Sequence, residues 1–269
     1  MTNATQGIDL GLGGKSALVT GAGAGIGREI ARWLARAGCR IGVNDIDPKT
    51  AAGTVEELRK AGSEAISVVG NVRDEDAVAT LVGDVVRAFG SLDVAVNNVG
   101  MNANRPVTPL LELEAEAVRD VVDQNLVATT ICCIAEARVM AKQRSGVILN
   151  VSSGETTRPS VGLVAYGAAK AGINHLTMSL ADELGPLGIR VMAMAPGTTL
   201  TEKVREVFSE EHIAGIVQSN PLRRMTEPEE LGRMAVFLAS DLARCVTGQL
   251  VLADAGAHLS RNRPANADP

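Results

Sequence analysis

Seven short runs of apolar residues recur along the sequence and alternate with stretches in which apolar residues have helical spacing. Each run is nearly continuous in apolar residues, which is typical of strands covered by helices on both faces of a parallel sheet. The runs span residues 16–20, 40–45, 65–70, 94–98, 146–153, 190–196 and 249–254. This order predicts an α/β fold, with a doubly wound and mainly parallel seven-stranded sheet between two layers of helices.

A single domain accounts for most of the chain. Residues 14–257 contain no linker, no low-complexity tract and no repeat of fixed period. The two ends differ, since residues 1–13 are polar and glycine-rich, and the last ten residues are polar and include two prolines. We therefore predict one folded domain at 14–257 between a flexible segment at 1–13 and a flexible tail at 258–269.

Charge and composition exclude several classes of function. The net charge of −5 argues against a nucleic acid or an anionic membrane surface as a partner. No apolar run approaches the length of a membrane-spanning helix, and the N-terminus lacks the pattern of a secretory signal, so we expect a cytoplasmic location. The four cysteines form no C-x-x-C pair and the three histidines are far apart, so we expect no disulfide framework and no metal.

A glycine-rich turn, "TGAGAGIG" at residues 20–27, follows the first apolar run directly. Its glycines, with Ala24 and Ile26 between them, permit a tight turn and leave backbone N–H groups open at a helix N-terminus, where a pyrophosphate binds. The four glycines are Gly21, Gly23, Gly25 and Gly27. Between the first strand and first helix of an α/β chain, this turn predicts a Rossmann-type dinucleotide site.

Asp45 ends the second apolar run, 18 residues after the last glycine of the turn. A carboxylate at this place binds the adenosine ribose hydroxyls and repels a 2′-phosphate, so we predict NAD in preference to NADP. Ala24 stands where a basic residue would have met that phosphate. Asp47 is the nearby alternative, but its place before Pro48 is more typical of a helix N-cap.

Further motifs follow in a fixed order: "NNVG" (97–100), "DQNL" (123–126), "NVSS" (150–153), "YGAAK" (166–170) and "PG" (196–197). Together with the glycine turn they resemble the short-chain dehydrogenase/reductase family over residues 14–257. The resemblance implies four catalytic residues, Ser153, Tyr166, Lys170 and Asn125. It also implies that cofactor contacts come from Tyr166, Lys170, Ile46, Asn71, Val72, Asn98, Val99, Gly100, Pro196, Gly197 and Thr201.

Two positions depart from the family pattern. Asn71 stands where an aspartate is usual near the adenine, so an acceptor oxygen is kept and the charge is lost. Val99 replaces the usual alanine and adds bulk near the cofactor. The resemblance further implies a lid over the substrate at about 199–225, and a homotetramer that packs through the helices around 114–143 and 166–185.

The chemistry predicted for this set is the interconversion of a secondary alcohol and a ketone. Tyr166 is the candidate acid/base, and Lys170, one helical turn later, is expected to lower its pKa from the usual value of about 10. Ser153 is expected to hold the substrate oxygen. Glu155 and Arg158 lie near the reacting centre in sequence, and Glu155 is a candidate substrate contact beside Ser153 and Tyr166.

Three functional interpretations remain open at this point. The apolar residues of 199–225 favour a small hydrophobic substrate, such as a hydroxysteroid or a cyclic or aliphatic alcohol. A 3-oxoacyl thioester is the alternative substrate within the same class. An inactive cofactor-binding or scaffold protein is the alternative from another class, and the intact Ser153, Tyr166 and Lys170 argue against it.

Overall fold

The structure is a computed structural model that describes residues 8–101 and 105–260. Its seven strands form one sheet in the order β3-β2-β1-β4-β5-β6-β7, and all neighbouring strands are parallel. The strands are β1 (Ser16–Val19), β2 (Arg40–Asp45), β3 (Ala65–Val69), β4 (Val94–Asn97), β5 (Gly146–Val151), β6 (Ile189–Pro196) and β7 (Leu250–Ala253). Each predicted run thus forms a strand, and the predicted doubly wound α/β fold is confirmed.

Helices cover both faces of the sheet. They are α1 (Gly25–Arg36), α2 (Pro48–Lys60), α3 (Glu75–Phe89), α4 (Ala115–Val122), α5 (Ala128–Gln143), α6 (Val164–Leu184), α7 (Glu202–Val207), α8 (Glu210–Ser219) and α9 (Pro228–Ala239). One hydrophobic core lies under α1, α2 and α9, and a second lies under α3, α5 and α6.

Side chains of β1, a strand with neighbours on both sides, alternate between these two cores. Ala17 and Val19 of β1 pack in the first core, whereas Leu18 packs in the second. Because successive strand residues point to opposite faces, a strand buried on both sides must be apolar at every position. This is the physical reason why the apolar runs of the sequence are nearly continuous.

The connections place a crevice at the carboxyl edge of the sheet. β1 pairs with β2 on one side and with β4 on the other, so the chain leaves β1 in one direction and later crosses to its other side. Ligands of open α/β sheets bind at such a switch point, outside the carboxyl ends of the strands. The residues that follow β1, β2, β4, β5 and β6 therefore meet at one edge.

The predicted long helix around 114–143 is interrupted. α4 ends at Val122, a π-helical turn spans Asp123–Val127, and α5 then continues to Gln143. A π-helical turn holds one more residue than an α-helical turn, and the spacing of apolar residues does not reveal it. The sequence therefore predicted an unbroken helix. π-turns of this kind are frequent at functional sites.

The structure describes part of each chain end that was predicted to be flexible. Leu12 is buried, and the Asp241 amide donates to the Leu10 carbonyl, so residues 10–12 pack against the domain. At the other end, His258 lies in a 3-10 turn (Ala257–Leu259) and bonds Asp254. Residues 1–7, 102–104 and 261–269 lie outside the described part of the chain, where the predicted flexibility of the ends stays a prediction.

Two kinds of feature are absent from the described residues. No helix within 8–101 and 105–260 is long and apolar enough to cross a membrane. In the same residues, no three His, Cys, Asp or Glu side chains are grouped in a way that would hold a metal ion.

A carboxyl group is buried beneath α5. Glu136 is 1% exposed, and its Oε2 accepts a hydrogen bond from Asn97 Nδ2 at 3.0 Å. The same Asn97 amide donates to Asn150 Oδ1 at 3.1 Å, and Asn150 Nδ2 donates to Thr177 Oγ1 at 3.0 Å. Burial raises the pKa of Glu136 to about 7, although the bond from Asn97 opposes this shift. A polar chain therefore links α5, β4, β5 and α6 through a group that titrates near neutral pH.

The buried carboxyl makes stability depend on pH. Its pKa is higher in the folded than in the unfolded chain, so the stabilisation is fully present below about pH 4.5 and is lost as pH rises through about 7. At about 1.4 kcal/mol per pKa unit, the loss amounts to roughly 3 kcal/mol. We predict that Glu136→Gln removes this loss, so that its free energy of unfolding falls less between pH 5 and pH 8 than that of the wild type.

Chemical denaturation at the two pH values measures the effect. Glu183→Gln is the matched control, because Glu183 is an exposed acid on α6 and its replacement changes the net charge equally. Equal pH dependence in wild type and Glu136→Gln would show that Glu136 ionises normally.

Candidate active site

A cavity of about 1330 Å³ opens at the carboxyl edge of the sheet. Most of the residues predicted for the site line it. They are Gly21, Ala24, Gly25, Ile26, Asp45, Ile46, Asn71, Val72, Asn98, Val99, Gly100, Ser153, Glu155, Tyr166, Lys170, Pro196, Gly197 and Thr201. Gly23, Gly27 and Asn125 are the predicted residues that do not line it, and they act behind the cavity wall.

Backbone conformation and close contacts require glycine at four positions of the turn. Gly21 and Gly25 have φ of +60° and +55°, in the left-handed region that favours glycine. A Cβ on Gly23 would lie 2.4 Å from Thr50 Oγ1, and one on Gly27 would lie 2.3 Å from the Gly21 carbonyl oxygen. Ala24 precedes α1 and provides no side-chain cap. The N-terminal N–H groups of a 12-residue helix therefore face the cavity, which fits a pyrophosphate.

Asp45 is fixed beside this turn. Its Oδ2 accepts from the Gly23 amide at 3.0 Å, and its Oδ1 accepts from the Asp47 amide at 3.0 Å. Asp47 itself caps α2 by accepting from the Lys49 amide at 2.8 Å, ahead of Pro48, so the N-cap interpretation is confirmed. The Asp45 carboxylate thus stands at the cavity wall between the turn and α2.

The end of β4 is joined to the glycine turn. Thr20 Oγ1 accepts from the Asn98 amide, and Asn98 Nδ2 donates to the Thr20 carbonyl, both at 3.0 Å. Further along, a Cβ on Gly100 would lie 2.5 Å from Lys170 Nζ and 2.7 Å from Asn125 Oδ1. A glycine is therefore needed where this loop passes the two polar side chains.

Asn125 lies in the π-helical turn and is fully buried. Its Nδ2 donates to the Met101 carbonyl and to the Val121 carbonyl, each at 2.8 Å. Its Oδ1 is buried and has no hydrogen-bond partner among the described residues. The side chain therefore holds the loop after β4 and directs an acceptor oxygen toward Gly100 and Lys170.

The two serines after β5 diverge, as expected from alternation along a strand. Ser152 Oγ donates to Asn174 Oδ1 at 2.5 Å and is turned toward α6. Ser153 Oγ accepts from the Glu155 amide at 3.2 Å and is hydrogen-bonded with the Tyr166 side chain. Ser153 is thus the serine that meets the tyrosine.

Burial dominates the electrostatics of Tyr166 and Lys170. Burial raises the pKa of Tyr166, the bond with Ser153 opposes this, and the Glu155 charge adds to it. Lys170 is 1% exposed, its Nζ donates to the Val151 carbonyl at 2.8 Å, and burial lowers its pKa to about 7. Its Nζ lies 5.8 Å from the centre of the Tyr166 ring. The expected lowering of the Tyr166 pKa by Lys170 is therefore not produced by the protein groups alone.

At the side of the cavity predicted for the adenine, the acceptor oxygen of Asn71 already has a partner. Asn71 lines it, but its Oδ1 already accepts from the Arg73 amide at 3.1 Å within its own turn. Arg73 also lines the cavity and is held by Asp120 at 2.9 Å. Sequence reasoning did not single out Arg73.

The C-terminal end of β7 contributes residues that sequence reasoning also missed. Asp254 and His258 line the cavity, and His258 Nδ1 lies 2.9 Å from Asp254 Oδ2. Both follow the carboxyl end of a strand, and this position is the signal that would have identified them.

The predicted lid forms two helices, α7 and α8. Val204, Val207, Phe208 and His212 from this segment line the cavity. Glu202, Lys203 and Glu206 of the same segment also line it, so apolar and charged side chains border the cavity here. That this segment acts as a lid and moves stays a prediction.

The comparisons with known proteins agree with this geometry. A family model described as enoyl-(acyl carrier protein) reductase matches residues 21–258. The 3-oxoacyl-[acyl-carrier-protein] reductase FabG of Staphylococcus aureus is 38% identical over 246 residues, which cover 91% of this chain and 98% of that protein. The 7alpha-hydroxysteroid dehydrogenase of Escherichia coli is 32% identical over 248 residues, covering 92% and 96%.

A solved structure of a 7alpha-hydroxysteroid dehydrogenase, complexed with NADH and 7-oxo glycochenodeoxycholic acid, matches with a TM-score of 0.87. It is 32% identical, and the match covers 92% of this chain and 96% of the other. These similarities extend over nearly the whole length of each protein and include every segment that lines the cavity from the glycine turn to His258. The chain belongs to the short-chain dehydrogenase/reductase family of oxidoreductases.

Proposed function

We propose that this protein interconverts a secondary alcohol and a ketone with NAD(H). The observation that carries the proposal is the meeting of Ser153, Tyr166 and Lys170 at one cavity with the glycine turn and Asp45. The Ser153 hydroxyl, the Tyr166 acid/base and the buried Lys170 amine thus share a cavity with a backbone turn that suits a nicotinamide dinucleotide. Bound NAD⁺ supplies the hydride acceptor of the reaction.

The protein supplies the proton chemistry. Ser153 Oγ lies against Tyr166 and holds the substrate oxygen beside the phenol. In oxidation the substrate hydroxyl gives its proton to the Tyr166 oxygen, and in reduction the Tyr166 hydroxyl returns it. A phenolate is poorly solvated at this site, so it needs a nearby positive charge.

Lys170 provides that charge when it is protonated. With a pKa of about 7, it changes charge near neutral pH, and a phenolate on Tyr166 favours its protonated form. Its amine is held by the Val151 carbonyl, and Asn125 Oδ1 lies near it, because the same Cβ position on Gly100 would be 2.5 Å from Lys170 Nζ and 2.7 Å from Asn125 Oδ1. Lys170 and Asn125 therefore act as positioning and charge-balancing groups behind Tyr166.

The cofactor preference rests on Asp45. Its carboxylate is fixed at the wall by two backbone amides, close to the start of α1. The nearby Arg28 is paired with Glu202 at 2.8 Å, so its charge is already balanced. A 2′-phosphate at this place meets a negative charge, which favours NAD over NADP.

The lid supports a substrate with a hydrophobic body. Val204, Val207 and Phe208 give the cavity apolar contacts beside the charged Glu202, Lys203 and Glu206, and these apolar contacts suit a hydroxysteroid or a cyclic or aliphatic alcohol. Reduction of a 3-oxoacyl thioester is the second candidate, favoured by the similarity to the Staphylococcus aureus reductase. An inactive cofactor-binding protein has less support, because the three catalytic side chains are present and adjacent.

We also propose a homotetramer that packs through α5 and α6. Large apolar side chains are exposed on these helices, including Ile134 of α5 and Met178 of α6. Such residues on neighbouring helices form an apolar patch that a second copy would cover. Sedimentation equilibrium of the full chain at the mass of a monomer would remove this proposal.

The proposed mechanism predicts that Tyr166→Phe loses activity without losing cofactor. The phenyl ring keeps the packing but has no proton to exchange, so kcat/KM for an accepted alcohol falls at least about 100-fold. Nicotinamide absorbance measures turnover, and calorimetry measures NAD affinity, which serves as the control for folding. Full turnover by Tyr166→Phe would exclude the assigned role.

The cofactor assignment predicts that Asp45→Asn weakens the preference for NAD over NADP. The amide keeps an acceptor oxygen but removes the charge that repels a 2′-phosphate. We expect the ratio of kcat/KM with NAD to that with NADP to fall at least about 10-fold. Asp47→Asn is the matched control, since it removes a carboxylate from the same turn, and its ratio should equal that of the wild type. The prediction is wrong if Asp45→Asn leaves the ratio unchanged.

A further inference from the structure

The cavity wall next to Ser153 is polar. Ser153 is followed by a 3-10 turn, Gly154–Thr157, which carries Glu155, and Arg158 comes directly after it. We call Glu155, Arg158 and His258 the polar wall, because all three line the cavity. No step of the proposed proton transfer uses any of them.

Contacts with the protein hold the polar wall in place. Arg158 Nη1 donates to the Ala257 carbonyl at 3.2 Å, and Arg158 Nη2 lies 3.9 Å from Glu155 Oε1. His258 is held by Asp254, which is buried and also accepts from the amides of Gly256 and His258. The 3-10 turn after β5 and the turn after β7 are thereby tied together at one side of the cavity.

Glu155 is near the reacting atoms. Its amide donates to Ser153 Oγ, and its charge acts on the Tyr166 hydroxyl. A substrate whose carbinol oxygen lies between Ser153 and Tyr166 therefore brings the substituents of that carbon close to Glu155.

The charges of Glu155 and Arg158 offset each other, because the two side chains form an ion pair. A charged substrate group would meet a like charge in this pair. His258 Nδ1 already bonds Asp254 Oδ2. A neutral hydroxyl instead accepts from a guanidinium or an imidazole and donates to a carboxylate, so it satisfies both kinds of partner.

We propose that the substrate carries a hydroxyl on the carbon next to the reacting carbinol, and that this hydroxyl donates to Glu155 and accepts from Arg158. The substrate class is a vicinal diol or its hydroxyketone, with its apolar side under the lid. This inference rests on the proposed function, because it places the carbinol between Ser153 and Tyr166.

Matched cyclohexanols and NAD⁺ test the inference. Cyclohexane-1,2-diol has the second hydroxyl, 2-methylcyclohexanol replaces it with a methyl group of similar size, and 2-methoxycyclohexanol keeps an acceptor without a donor. A site that hydrogen-bonds a hydroxyl discriminates strongly against analogues that lack it, because its polar groups are left unpaired. We expect kcat/KM for the diol to exceed that for the methyl compound at least about 100-fold, with the methoxy compound near the methyl compound.

Variants of Glu155 show whether the polar wall causes this preference. Glu155→Leu should lower the diol-to-methyl ratio at least about 10-fold, and Glu155→Gln, which keeps an acceptor oxygen, should lower it less. A change in the Tyr166 pKa affects both substrates equally, so the ratio reports recognition alone. Glu210→Leu is the control, since Glu210 is an exposed acid of the lid that does not line the cavity, and NAD affinity by calorimetry shows that each variant is folded.

The outcomes separate the two proposals. Equal kcat/KM for the diol and the methyl compound, turnover of non-hydroxylated alcohols only, or an unchanged ratio in Glu155→Leu would overturn the inference and leave the proposed function in place. Absence of nicotinamide reduction or oxidation with every alcohol and ketone tested would instead refute the proposed function.

Discussion

Burial of both faces of the parallel sheet is the constraint on which the site depends. The two hydrophobic cores fix α1 and α6 on opposite faces of the sheet, and the parallel strands end at one edge. The glycine turn and Asp45 follow strands on one side of the switch point between β1 and β4. Ser153 and Pro196 follow strands on the other. The residues proposed to bind cofactor and substrate meet only because the chain crosses the sheet at that point.

Lys170 joins the packing of the fold to the chemistry of the site. Its stem is buried in α6, and its amine reaches the Val151 carbonyl at the end of β5. Burial makes the amine easy to deprotonate and makes the Tyr166 phenol hard to deprotonate. Each group therefore favours its neutral form in the protein alone. The nicotinamide ring of a bound NAD⁺ would add a positive charge to the site. That charge would favour the Tyr166 phenolate and so couple cofactor binding to proton transfer.

The sequence predicted the parts of the structure that local pattern determines. All seven strands lie within two residues of the apolar runs, because burial on both faces leaves a pattern that neighbouring residues carry themselves. The glycine turn and the Asp47 cap were predicted for the same reason, since backbone geometry restricts the residue type there. Ser153, Tyr166 and Lys170 were found through a family resemblance and not through any local rule.

Other features depend on contacts between distant segments. The π-turn at Asn125 does not alter the apolar spacing of the helix, and a buried Glu136 looks like any exposed helical glutamate in the sequence. Arg158 meets the turn after β7 only in the folded chain, where its Nη1 donates to the Ala257 carbonyl. The spacing of Tyr166 and Lys170 predicted a lowered pKa for Tyr166. Burial by the surrounding chain instead raises it.

Tyr166 is the only tyrosine of the sequence, so the ultraviolet absorbance of a phenolate reports on this residue alone. The most direct measurement is a pH titration of that absorbance with and without saturating NAD⁺, in the wild type and in Lys170→Met. The account predicts a midpoint above the usual value of about 10 without cofactor and below it with NAD⁺, and no such fall in Lys170→Met. A midpoint that NAD⁺ does not change in the wild type would contradict it.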